Sequence, residues 1–217
     1  MEKSWKLRWK KAWQFFWHSD SFASWVANVV VAFLVIRYIL YPVLGIVLGT
    51  SFPIVAVVSE SMEHGLHDGK LCGNHYDNFK GSFDNYWEVC GSWYEEQGIY
   101  KQQFRAFPFP NGFDKGDVIL LWRANRDNLE VGDILIFQGN RPQPLIHRVV
   151  KTWEESGEQF YQTKGDHNGG IITGEGGEEQ ISEERIYGQG LLRVPYLGWV
   201  KILFVDLVRP LGWNIQR

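Results

Sequence analysis

The chain has 217 residues, enough for one ordinary domain with a short appendage, and carries 22 Lys and Arg against 25 Asp and Glu for a net charge of −3. That small total hides an asymmetry: from residue 50 onward there are 16 basic and 23 acidic residues, net −7. Nothing resembles the basic stripe of a nucleic-acid binder, so a nucleic-acid partner is excluded.

Residues 1–20 hold Lys3, Lys6, Arg8, Lys10 and Lys11 against Glu2 and Asp20, with Trp5, Trp9, Trp13 and Trp17 recurring every fourth position. On a helix such a stripe drifts about 40° per step and covers a third of the circumference. The pattern fits an interfacial helix with indoles at headgroup level and lysines near anionic lipid, or a looser basic juxtamembrane tail. Residues 21–49 are almost wholly apolar, interrupted by Asn28 and Arg37, with Pro42, Gly45 and Gly49 near the end. The run is long enough to cross the roughly 30 Å hydrocarbon core and too long for the 7–15-residue apolar region of a cleavable signal peptide. It reads as an uncleaved anchor with the N-terminus cytoplasmic and the rest extracytoplasmic. Arg37 is costly at the bilayer centre; it either snorkels or lies one turn from the interface in a span of 21–41.

Past the anchor, Ile54–Val58 is a β-branched run bounded by Pro53 and Ser59, a buried-strand signal that ends in Ser59-Glu60-Ser61-Met62-Glu63. Residues 72–112 change composition to Gly, Asn, Asp, Tyr and Trp and read as an insertion lying over the domain surface, held by its own aromatics. Strand signals return at 118–122, 133–137, 145–151, 159–163 and 186–194, separated by Gly, Pro and Asn turns. The fold class is therefore mainly β, an antiparallel domain over 50–193 behind an N-terminal transmembrane helix. Asp117 and Asp133 each follow a glycine before an apolar run and read as turn residues whose carboxylates bond nearby N–H groups. Residues 194–217, with Leu197, Trp199, Ile202, Phe204 and Leu207 around Lys201, Asp206 and Arg209, form an amphipathic segment too short to span. It packs on the domain or lies in the membrane interface, the latter preferred for Pro195, Tyr196 and Trp199 at its entry.

A serine hydroxyl becomes a nucleophile only when a base takes its proton, which makes Ser61 at a strand end the candidate and a histidine the partner to find. His64, His67 and His75 sit in polar loop sequence; His147 stands inside the apolar run Pro144-Leu-Ile-His-Arg-Val-Val, where most histidines are structural. If 145–151 and 159–163 pair as a hairpin, Asp166 of Thr163-Lys-Gly-Asp-His-Asn emerges beside the start of the His147 strand and can orient the imidazole. Cys72 and Cys90, both in the insertion of an extracytoplasmic chain, read as a disulfide worth about 3 kcal/mol on the chain-entropy account. The rival, a metal site from His64, His67, Cys72, His75, Asp77 and Cys90, matches no standard zinc spacing, and no metal or cofactor is expected.

Pro53-Ile-Val-Ala-Val-Val-Ser-Glu-Ser-Met-Glu, Gly132-Asp-Ile, Ile146-His-Arg-Val and Thr163-Lys-Gly-Asp-His-Asn, with Val194-Pro-Tyr-Leu-Gly near the end, resemble the successive boxes of type I signal peptidases. A histidine at 147, where bacterial relatives have lysine, is similar to the archaeal and endoplasmic-reticulum branch. The resemblance implies Ser61 as nucleophile, His147 as base, Ser59 with the Ser61 N–H as oxyanion hole, and an antiparallel β domain with an apolar surface resting on the membrane. It also implies signal-peptide-bearing precursors as substrates, bound as an added strand, membrane lipid as a contact, and the translocon or accessory subunits as partners. A cut just outside a membrane-inserted segment requires a nucleophile near the bilayer, which the short stretch 50–60 supplies. Val57 and Val58 are expected to border pockets for small side chains. The chain departs from the family at Glu60 (usually glycine), at His64 (usually proline) and at Ile172, where a second aspartate is common. That leaves Asp166, or failing it Glu175, as third member. A catalytically silent membrane-tethered β domain binding extended peptides or partner subunits is the alternative.

Overall fold

The computed structural model describes residues 2–125, 127–140 and 142–208. The chain divides into two compact units, one ending at Val47 and the other beginning at Leu48.

Ahead of the strands, α1 (Glu2–His18) is followed by α2 (Phe22–Val35), a π-helical turn (Ile36–Leu40) and α3 (Tyr41–Leu48), whose last residue opens the second unit. Ser21 caps α2 by accepting from the Ser24 N–H at 3.2 Å. Carbonyls in the last turn of α1, orphaned by the helix end, find side-chain donors on α2: the Ser24 hydroxyl bonds Phe15 O, and Asn28 Nδ2 donates to Phe16 O at 2.9 Å. The four tryptophans of α1 stay more than half exposed. From Phe22 to Leu48 the helix is continuous, and by length and composition it can cross a membrane. Its π turn has a local cause. Pro42 has no N–H and its ring crowds the carbonyl four residues back, so the turn before it widens and the Tyr41 N–H reaches back five residues to Ile36 O. Arg37 lies in this widened turn, its guanidinium 5.7 Å from the Tyr38 ring centre.

The second unit is built on a seven-stranded, wholly antiparallel sheet. The strands of this unit in chain order are β1 (Ile54–Ala56), β2 (Lys70–Leu71) and β3 (Asn74–His75), which pair with each other as a small separate hairpin, then β4 (Val118–Trp122), β5 (Ile134–Phe137), β6 (Leu145–Glu155), β7 (Glu158–Lys164), β8 (Ile181–Ser182) and β9 (Ile186–Val194). The order across the main sheet is β1-β4-β9-β5-β6-β7-β8. The expected hairpin of β6 and β7 forms: Glu155 opposes Glu158 across Ser156 and Gly157, both at positive φ, the backbone a tight two-residue turn requires. Asp117 and Asp133 are turn residues, accepting from the N–H groups of Asp114 at 2.8 Å and Glu130 at 2.9 Å.

Residues 72–112 contain two helices, α4 (Phe83–Glu96) and α5 (Lys101–Ala106), which the β-domain reading did not anticipate. Apolar residues at 83, 86, 87, 90 and 94 follow the helical period, and Ser82 caps the start by accepting from Asn85 N–H. Tyr86, Trp87, Cys90, Tyr94 and Phe104 form a buried cluster with Leu71 and Val150 of β6, so the insertion is part of the core. The Cys72–Cys90 disulfide ties α4 to the segment after β2. With both sulfurs bonded to each other, neither is a thiolate ligand, and the metal reading of this cluster loses two of its six groups. After β9, α6 (Trp199–Val208) buries Ile202 and Val205 and exposes Val200, Leu203, Phe204 and Leu207. The rest of the expected C-terminal segment, residues 209–217, lies outside the described residues.

Candidate active site

Ser61 sits in the turn that follows β1. Val57 extends that strand's pairing, donating to Asp117 O at 2.8 Å while its own carbonyl accepts from Gly116 N–H at 2.9 Å. Beyond it the turn is clamped from three sides. Ser61 O accepts from His167 N–H at 2.9 Å, Met62 O from Phe113 N–H at 3.1 Å, and Glu63 Oε1 from Lys115 N–H at 3.0 Å. Met62, 1% exposed, plugs the core below. Polar serines between a buried valine and a buried methionine leave the chain little choice but to turn the hydroxyls outward.

Antiparallel pairing of β5 with β6 delivers His147, opposite Leu135, to that turn. Its Nε2 is 3.0 Å from Ser61 Oγ, and its Nδ1 is hydrogen-bonded to Glu178 Oε1. Glu178 is fully buried and firmly held: Thr163 Oγ1 donates to Oε1 at 3.0 Å and the Ile172 N–H to Oε2 at 2.6 Å, while the Glu178 N–H returns to Ile172 O at 2.7 Å. Ser59 Oγ lies 3.2 Å from Ser61 Oγ. Gly165 passes so close to this group that a Cβ there would come within 2.8 Å of Ser61 O and 2.9 Å of His147 Nε2. Gly165→Ala is therefore expected to push the imidazole off the serine and lower the reactivity of the Ser61 hydroxyl by about 100-fold with the fold intact, read as labelling by a serine-directed probe beside a thermal melt.

Asp166 does not meet His147. Neighbouring residues of a strand point to opposite faces, so where His147 faces Ser61, Arg148 faces the other way and takes Asp166 with it. Arg148 Nε donates to Asp166 Oδ1 at 3.0 Å and Nη2 to Oδ2 at 2.7 Å; the remaining N–H groups reach the carbonyls of Pro108, Gly132 and Phe109 at 2.8–2.9 Å. All five donors of a fully buried guanidinium are thus satisfied. Tyr94 OH donates to Asp166 Oδ1 at 3.0 Å and His64 Nε2 bonds Oδ2 at 2.9 Å. Burial alone would raise the Asp166 pKa, but Arg148 and the hydrogen bond from His64 outweigh it and hold the carboxyl well below the usual carboxylate range. His64, stacked on Tyr86 with ring centres 3.6 Å apart, has its pKa pushed down by burial against the pull of Asp166. Lys164, packed over Trp93 and Tyr94, is lowered to about 8, burial outweighing the attraction of Asp166 and Glu178.

The other expected site residues divide. Val57 is 2% exposed and packs in the core with Ile119, Leu121 and Ile134, so its side chain lines no surface pocket; Val58 beside it is half-exposed. Glu60 turns to Lys115, Oε1 to Nζ 2.6 Å. Burial would raise its pKa, yet the Lys115 hydrogen bond and charge leave it lowered. Glu175 has no part in the His147 contact. The sequence signal for Glu178 was faint, one carboxylate among several in Gly174-Glu-Gly-Gly-Glu-Glu.

A serine hydroxyl on an imidazole whose far nitrogen is held by a buried carboxylate is the arrangement that serine peptidases use for acyl transfer. Comparison with known proteins runs the same way. Over 96 residues the chain is 34% identical to a signal peptidase complex catalytic subunit SEC11 from Lachancea thermotolerans, covering 42% of this chain and 56% of that one. It is 28% identical over 98 residues to the subunit of that name from Yarrowia lipolytica (43% and 56%), and 31% identical over 98 residues to the human signal peptidase complex catalytic subunit SEC11C (43% and 51%). The chain thus spans about half the length of the curated relatives it matches. No family model matches it. These homologues support the resemblance to type I signal peptidases of the endoplasmic-reticulum branch that the sequence boxes carry.

Proposed function

We propose that this chain is a membrane-anchored serine endopeptidase that removes signal peptides from secretory precursors, cutting after small residues. The observation that carries the reading is the line from Ser61 Oγ to His147 Nε2, 3.0 Å, and on from Nδ1 to buried Glu178. In this mechanism Ser61 Oγ attacks the scissile carbonyl carbon and its proton passes to His147 Nε2. Glu178 holds the Nδ1–H and stabilises the imidazolium. The tetrahedral oxyanion is received by the Ser61 N–H and the Ser59 hydroxyl. Its collapse breaks the C–N bond, with the proton delivered from Nε2 to the leaving amine; water then repeats the cycle through the same base and frees the acid.

Residues 49–60 alone join the apolar helix to Ser61, which suits a cut beside a membrane-inserted segment. The anchor places the N-terminus in the cytoplasm and the β domain across the membrane, of the endoplasmic reticulum or the cell. Membrane lipid, precursors, and accessory subunits or the translocon are its contacts, and Val58 borders the small-residue pockets. Incubating the detergent-solubilised protein with a secretory precursor tests the reading. Cleavage by wild type that Ser61→Ala or His147→Ala abolishes is expected; a wild type that cuts nothing favours the silent peptide-binding domain, and a Ser61→Ala protein that cuts as well as wild type removes Ser61 from the chemistry.

A further inference from the structure

Lys115 stands outside the Ser61–His147–Glu178 line, yet it is fastened to the nucleophile turn at two points. Its Nζ is 2.6 Å from Glu60 Oε1, and its backbone N–H donates to Glu63 Oε1 at 3.0 Å. The flanking backbone closes the same seam through the mutual bonds of Val57 with Gly116 and Asp117. The two side chains are 25% and 29% exposed, so they are partly withdrawn from water, where salt screens a pair less than on the open surface.

The position of Glu60 gives this pair its consequence. It directly precedes Ser61, and a lone carboxylate there stabilises a protonated His147 and opposes the negative charge that Ser61 and the oxyanion gather during attack. Other titratable groups at the turn have partners of their own, among them His167, whose Nδ1 lies 3.2 Å from Glu63 O. Glu178 is bonded to His147 Nδ1, Glu63 to the Lys115 backbone, and Asp166 to Arg148, with His64 and Lys164 beside it. His67 adds to the field that keeps Glu60 ionised.

Resting on the peptidase reading, we infer that Lys115 is a positioning residue that neutralises Glu60 and so allows a carboxylate to stand beside the nucleophile without suppressing the Ser61–His147 pair. Lys115→Met keeps the stem and removes the charge. In the full chain in detergent, its kcat/KM for a secretory precursor is expected to fall about tenfold on the acid side and little above pH 8, because the acid limb moves up by about one pH unit, the scale of one uncompensated nearby charge in a medium of intermediate dielectric. Glu60→Gln combined with Lys115→Met brings the limb back. A second readout needs no turnover: NMR titration of the labelled His147 imidazole in Ser61→Ala protein moves upward on adding Lys115→Met. A loss uniform across pH, or a double variant that stays shifted, overturns the inference and leaves Lys115 a loop staple. If wild type cleaves nothing while the imidazole titration still shifts, the peptidase reading fails and the charge coupling stands.

Discussion

On the proposed peptidase function, Glu178→Gln is expected to lower precursor cleavage by about 10⁴-fold while the protein stays folded, on the scale of a triad carboxylate exchanged for its amide. The size of the effect follows from which oxygen does what. The Ile172 N–H donates to Oε2, so the amide oxygen of a glutamine takes that place, and its NH₂ group replaces Oε1. There it faces His147 Nδ1, which must then supply a lone pair, and the ring proton is forced onto Nε2. A protonated Nε2 cannot accept from Ser61 Oγ 3.0 Å away. The side-chain volume and the loop around Ile172 are unchanged, so the melting temperature should move by only a few degrees. Single-turnover cleavage beside a thermal melt separates the two quantities. Should Asp166→Asn silence a folded enzyme while Glu178→Gln leaves it active, Glu178 is not the orienting group.

The reason Glu178 escaped a reading of the sequence is physical. Ser61 and His147 announce themselves by local contrast, a hydroxyl at the end of a β-branched run and an imidazole inside one. Strands β4 to β7 and β9 were legible within a few residues for the same reason, because alternation and turn chemistry act over short spans. Glu178 is placed by a different logic. It hangs from the Ile172 backbone and Thr163, and its partner is 31 positions away, so no period or spacing marks it. Ile172 occupies the position where an aspartate was missed, and it contributes by its N–H and carbonyl, which any residue could supply. Asp166 misled in the opposite way, since its box promised a catalytic carboxylate. The counter-signal was Arg148: a guanidinium in a buried strand needs an acid, and strand alternation puts that acid on the face away from His147. The helices of the insertion were readable from the apolar spacing at 83, 86, 87, 90 and 94. That they would carry Tyr86 and Tyr94 to Asp166 was not, because only the folded cluster brings them there.

Asp166→Ala is expected to destabilise the β domain by about 3–5 kcal/mol, the cost of leaving a buried cation without its counter-charge. Arg148 keeps its three carbonyls but loses both carboxylate bonds, Tyr94 loses an acceptor, and His64 Nε2 is stranded beside Tyr86. Acid should reveal the same network in two steps. His64 sits below its ordinary value of 6.5 in the folded chain because burial disfavours its cation, so the unfolded chain takes up the proton first and stability declines as the pH drops below about 6.5. Asp166 sits below its ordinary 3.8; its contribution is complete above that value and is lost as the pH falls through the lower folded range. Chemical denaturation between pH 8 and pH 3 therefore gives a wild-type curve that declines below about 6.5 and shows the onset of a second loss below about 3.8. His64→Gln, whose amide can still donate to Asp166, removes the first component and keeps the second. Asp166→Asn, measured against wild type, loses the acidic component and lies lower at neutral pH. Parallel curves for wild type and Asp166→Asn down to pH 3 would show that the Asp166–Arg148 pair is not what holds the segment after β7 to β6.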